Sequence, residues 1–146
     1  MNAVKIRCRD LMVGDWITDN TGFQWQITVV GDDYAYATFE GNEADPWEFD
    51  DKDDQPQPIE ITEDIMRKNN WKVRCYTGLP DEHCCIIYVG KYILLWSPRA
   101  LSIWFGHEHY DNGAIADIII PCKYVHELQR ALRLAGLKDM ADNFKV

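Results

Sequence analysis

No stretch of this sequence approaches the roughly 20 apolar residues that a membrane span requires; the longest candidate is the short run around Ile118, Ile119 and Ile120. The first ten residues, Met-Asn-Ala-Val-Lys-Ile-Arg-Cys-Arg-Asp, carry charges where a signal peptide would carry its apolar stretch. There is no C-x-x-C pair, the minimum ingredient of a thioredoxin-like redox motif or a zinc ribbon. G-x-x-x-x-G-K, G-x-G-x-x-G and G-x-S-x-G are missing too, and with them the commonest phosphate cradles and the nucleophile elbow. These absences predict a cytoplasmic protein with no membrane contact and no cofactor. The five cysteines, Cys8, Cys75, Cys84, Cys85 and Cys122, are an odd number without framework-like spacing, so reduced thiols are expected.

Basic residues are scarce in one region. Residues 1–59 hold 13 acids against 4 bases, whereas residues 60–146 hold 11 of each, so the formal charge of −9 lies entirely in the first part. Residues 40–54 contain eight acids opposed only by Lys52 and run into Gln55-Pro56-Gln57-Pro58. Two prolines remove amide donors and push their predecessors out of helical geometry, which makes this stretch a loop or linker. The charge does not imply disorder, because 47% hydrophobic and 12% aromatic residues is the composition of a globular chain. A chain of 146 residues can bury about two-thirds of its unfolded surface, enough for one fair-sized core or two small ones.

The periodicity predicts an α+β protein in two parts, a β-rich part over residues 1–59 and an α+β part over residues 60–146. In the first, residues 13–17 alternate with the strand period, and Thr21-Gly22 supplies a turn. Residues 23–30 place Phe23, Trp25, Ile27 and Val29 on one face. After Gly31-Asp32-Asp33, residues 34–39 and Trp47-Glu48-Phe49 add two further strands, completing a β-meander like an SH3-type half-barrel. In the second part Thr62 is an N-cap, with Glu63 and Asp64 in the first turn and Ile61 able to staple onto Met66. Asn69-Asn70 closes that short helix in left-handed geometry. Strands follow over residues 71–76, 85–89, 92–96, 101–110 and 115–120, with turns at residues 78–81, Gly90-Lys91 and Asn112-Gly113. Residues 124–135 form an amphipathic helix, stopped by Gly136, whose apolar stripe is expected to cover the preceding sheet.

Three stretches carry a resemblance. Gly14-Asp15-Trp16, Pro58-Ile59-Glu60-Ile61-Thr62 with the helix that follows it, and Tyr124-Val125-His126-Glu127-Leu128-Gln129 resemble the layout of a family of small uncharacterised proteins. That family is found in gut anaerobic bacteria and in their phages and mobile elements. The resemblance implies a mobile-element setting and a two-part architecture, and it brings no catalytic residues. Residues 40–57 are more acidic than its pattern.

Several polar groupings invite a chemical reading. His126-Glu127 opens like the zinc-protease signature H-E-x-x-H, but the second histidine position is Arg130, and a cation cannot ligate zinc. His107 and His109 stand two apart on a predicted strand, so both rings project from one face. They form a candidate metal pair if Asp111 or Cys122 supplies a third ligand. Cys84-Cys85 beside His83 suggests a nucleophile and base, yet neighbours in a strand face opposite ways. Six tryptophans read best as core, and an acidic surface without cations beside the rings argues against nucleic-acid binding. The acidic loop, with Glu43, Asp45, Glu48, Asp50, Asp51, Asp53 and Asp54, lacks the spacing and glycine of an EF-hand. Its readings are a solvated loop or a docking surface for a basic protein partner. The sequence thus points to a non-catalytic accessory or protein-interaction protein, with metal binding through His107 and His109 as the alternative.

Overall fold

The computed structural model describes residues 5–39, 42, 44–76, 79–98, 100–105 and 117–146, with only the backbone described for 75, 76 and 79–83. The fold is α+β, with two antiparallel sheets and three helices among the described residues. The chain divides into two compact units: the first runs to Glu60 and takes in Tyr124–Phe144, and the second is Ile61–Lys123. The C-terminal helical segment, grouped by the sequence reading with residues 60–146 and expected on the preceding sheet, therefore belongs to the first unit. The apolar stripe of its helix fixes that it is buried, but not which sheet receives it.

In the first unit, β1 (Trp16–Thr18), β2 (Gln24–Val30), β3 (Tyr34–Thr38) and β4 (Trp47–Asp50) form a four-stranded meander in sequence order. β1 is shorter than the expected 13–17 because Gly14, at φ +97, turns the chain just before it. The pairs Ile17↔Trp25, Ile27↔Ala37, Ala35↔Phe49 and Ala37↔Trp47 set these side chains on one face. That face, with Ile6, Cys8 and Leu11, is the core. The expected alternation fails after Ile27, where a bulge shifts the register so that Val29 pairs with Tyr36 and Val30 with Ala35. One extra residue reverses every later side chain. Val30 packs on the core, whereas Val29 is 41% exposed. Gln57 exchanges both main-chain hydrogen bonds with Thr18, so the proline-flanked segment pairs with β1.

The segment that returns to this unit contains α2 (Val125–Leu134) and α3 (Lys138–Asp142). The Tyr124 amide donates to the Glu127 carboxylate, closing half of a capping box, and Gly136 turns the chain at φ +84. Val125, Leu128, Gln129, Ala131 and Leu132 form the buried stripe of α2.

The second unit holds α1 (Glu63–Lys68) and a five-stranded meander. Its strands are β5 (Lys72–Tyr76), β6 (Leu79–Val89), β7 (Tyr92–Ser97), β8 (Ala100–Phe105) and β9 (Ile118–Pro121). Thr62 caps α1 by accepting the Ile65 amide at 3.2 Å, and Asn70 takes φ +69, both as the sequence implies. Of the turn expected at 78–81, residue 78 lies outside the described residues, and 79–81 belong to the 11-residue β6. Asn112-Gly113 lies outside the described residues. Cys84, Ile86, Ile93, Leu95 and Trp104 make a buried cluster on one face of this sheet.

Candidate functional site

Two groupings in the first unit concentrate polar and aromatic side chains. The first explains why Gly14-Asp15-Trp16 and the α2 sequence occur together. Gln129 is fully buried, and its Oε1 accepts the Trp16 amide at 3.0 Å. Its Nε2 donates to the carbonyls of Gly14 at 2.8 Å and Ala141 at 3.0 Å. Asp15, 0% exposed, accepts the Met12 amide and a guanidinium hydrogen bond from Arg133. Arg133 also donates to the Val13 carbonyl and to Asp142. The Trp16 indole donates to the Phe144 carbonyl at 2.7 Å. Glycine is favoured at position 14 by its φ of +97, and a Cβ there would also crowd the Arg133 guanidinium at 3.0 Å.

Burial leaves the Asp15 carboxyl above its usual range even against the pull of Arg133 and the Met12 amide. Perturbed carboxyls often mark active sites. Here the network satisfies main-chain groups instead. An open cleft of about 650 Å³ lies beside it, lined by Leu11, Met12, Val13, Gly14, Arg133, Lys138 and Asp142, and Asp15 is not among its lining residues. We read the grouping as a clamp that seats α2 and α3 on the strand. His126, one turn before Arg130 on α2, stacks on Tyr124 with ring centroids 6.1 Å apart. Burial holds its pKa below the ordinary 6.5, and its Nδ1 is buried without a hydrogen-bond partner. It lies in the first turn of α2, beside the buried stripe of that helix.

The second grouping is a row of aromatic rings that continues the core face outward. Phe49 is 2% exposed; its ring lies 4.8 Å from Trp47, and Trp47 lies 5.3 Å from Trp25. Trp25 lies 5.6 Å from Phe39, and Phe39 lies 5.3 Å from Phe23, edge to face. Trp25, Trp47 and Phe39 are half-buried, and Phe23 is 56% exposed. The expectation that the tryptophans are core holds for Trp71, Trp96 and Trp104. It holds only in part for Trp16, Trp25 and Trp47, which keep part of their surface open although Trp25 and Trp47 pack against the core. The reason is position: β2 and β4 bring Trp25 and Trp47 to the end of a face too short to cover them.

Asp19 anchors this row. Its carboxylate accepts hydrogen bonds from the Thr21 amide and hydroxyl, the Phe23 amide and the Trp25 indole, the last at 2.9 Å. Slight burial pushes its pKa up, but the hydrogen bonds from Thr21, Trp25 and Phe23 win and hold it below the usual carboxylate range. Sequence reading passed over Asp19. The signal was its place three residues before Gly22, where an aspartate side chain organises a turn.

The acids singled out in the loop do not share one surface. Glu48, opposite Tyr36, faces away from the core and raises the Tyr36 pKa by its charge. Asp50 and Asp53 close a local turn, Asp53 accepting the Asp50 amide at 2.9 Å and Asp50 accepting that of Lys52 at 2.8 Å. Asp51 accepts the Cys8 amide at 2.8 Å, which lowers its pKa. It also lines an open cleft with Lys5, Arg7, Arg9 and Asp32, so three of the four bases of the first 59 residues sit beside it. Asp45 and Asp54 are exposed, and Glu43 lies outside the described residues.

The other candidate pairs fall wholly or partly outside the described side chains. His107, His109 and Asp111 lie outside the described residues. Among the described residues no three histidine, cysteine or carboxylate side chains gather as a metal would require. Cys8, Cys84, Cys85 and Cys122 are buried. Burial raises Cys8 to about 12, with help from Asp51, and raises Cys85 to about 11. Both are inert at neutral pH. Among the described residues no helix is long and apolar enough to cross a membrane. Comparison with family models, curated proteins and solved structures finds no match.

Proposed function

We propose that the protein is a non-catalytic accessory or protein-interaction factor, of the phage or mobile-element type that the resemblance implies, and that its first unit docks a basic protein partner. The observation that carries this reading is the division of labour among the polar groups of that unit. Gln129 and Asp15 are consumed in holding main chain and Arg133, while a partly open aromatic row is anchored by the carboxylate of Asp19. The charge favours the same reading: the first unit holds 17 acids against 7 bases, and the second 7 against 8. A field of that sign speeds the encounter with a cationic partner and repels phosphate.

The test is capture of partners from the native host by three forms of the full chain. One is unaltered, one carries Glu43→Gln with Asp45→Asn, and one carries Glu48→Gln with Asp54→Asn. Basic proteins should be retained by the first, released at raised salt, and lost when Glu43 and Asp45 are neutralised. Retention of the same proteins by all three, with no salt dependence, would end the reading.

A further inference from the structure

We infer that the aromatic row of the first unit receives an extended, arginine-bearing segment of the partner, whose guanidinium groups stack on the open faces of Trp25 and Trp47. This rests on the docking reading above and gives it a contact chemistry. Indoles attract cations through the negative faces of their rings, and the planar guanidinium stacks where a lysine ammonium cannot.

Four features favour that occupant. The row is graded, from Phe49 at 2% exposed to Phe23 at 56%, so it is core at one end and open surface at the other. Its rings are tilted or edge-on to one another at 4.8–5.6 Å, so none is closed in a parallel stack with its neighbour, and Trp25, Phe39 and Trp47 each keep part of their surface exposed. Trp25 is fixed in orientation by its indole hydrogen bond to the Asp19 carboxylate, so a negative charge is built against the ring. Asp45, exposed two residues before Trp47, adds a further negative charge. Single-stranded nucleic acid also stacks on aromatic rows, but it needs cations beside the rings. Of the first 59 residues only Lys5, Arg7, Arg9 and Lys52 are basic, and the first three gather in the cleft with Asp51.

The full chain, labelled with ¹⁵N, is titrated with a dodecapeptide of alternating arginine and glycine, with its lysine and citrulline counterparts, and with an oligothymidylate of equal length. The arginine peptide should shift the indole N–H signals of Trp25 and Trp47. It should bind several-fold more tightly than the lysine peptide and at least tenfold more tightly than the citrulline one. Trp47→Leu should weaken it at least tenfold. Phe23→Ala, at an exposed ring that the fold does not need, should weaken it several-fold in a chain whose remaining spectrum is unchanged. Equal binding by the unaltered chain and Phe23→Ala, with loss on neutralising Glu43 and Asp45, would overturn the aromatic contact and leave acidic docking standing. Equal affinity for the citrulline peptide, or preference for the oligothymidylate, would overturn the inference through its cation. No binding of either basic peptide at low salt would remove both.

Discussion

Gln129 and His126 lie three residues apart on α2 and show opposite treatments of a buried polar side chain. Gln129 has a partner for its oxygen and two for its nitrogen, all main-chain atoms. Removing it would leave the Trp16 amide buried without a partner, at a cost of roughly 1–3 kcal/mol for each group so stranded. His126 has no such provision: its Nδ1 is buried and unpaired. Burial and Arg130 hold the ring neutral against Asp15, Glu127 and Asp10, which favour its charged form. A histidine whose folded pKa lies below 6.5 binds fewer protons folded than unfolded as the pH falls through that value. Stability is therefore highest above pH 6.5 and declines as acid is added toward the depressed value. Urea midpoints followed downward from neutrality should fall in the native chain and fall less in His126→Phe. Parallel declines would show that the ring is already solvated.

At the scale of elements, the bulge in β2 is the feature that alternation could not supply. Phe23, Trp25, Ile27 and Val29 keep strict period two in the sequence, and nothing local marks Thr28 as extra. The structure keeps Trp25 and Ile27 inward and then exchanges Val29 for Val30, whose partner is the buried Ala35. Val30→Lys should cost at least about 1 kcal/mol, because the charge would be carried onto the core face. Val29→Lys, on the face shared with Tyr36 and Glu48, should stay within about 0.5 kcal/mol. Equal costs by chemical denaturation would mean that the register is not the one described. Elements specified by local chemistry were legible: the Thr62 cap, the Asn70 reversal, the β6–β7 hairpin at Gly90 and the stop at Gly136 all follow from residues within a few positions. Long-range choices were not. Asp19 serving Trp25, and Gln129 serving Gly14 and Trp16, join residues whose types are ordinary by themselves, and of these contacts only the short one left a turn signal. The site was legible only in part: its acids and tryptophans were evident, but which of them share a face depends on the register.

At the scale of the whole chain, the first unit is discontinuous, since it takes Tyr124–Phe144 from the far end of the sequence. The clamp shows why this matters within that unit. Without the returning segment, the Trp16 amide loses Gln129, the Trp16 indole loses the Phe144 carbonyl and Asp15 loses its guanidinium. The segment also carries the buried stripe of α2, and losing that apolar burial removes a large share of the stability a small unit possesses. A fragment of residues 1–60 should accordingly show the collapsed amide dispersion of an unfolded chain, although the four strands, their turns and the core cluster between Ile6 and Phe49 are all present. Adding a peptide of residues 122–146 in trans should restore a dispersed spectrum, with the Trp16 indole signal among the protected ones. A well-dispersed spectrum from residues 1–60 alone would instead make the meander self-sufficient and reduce Gln129 and Arg133 to surface fastenings.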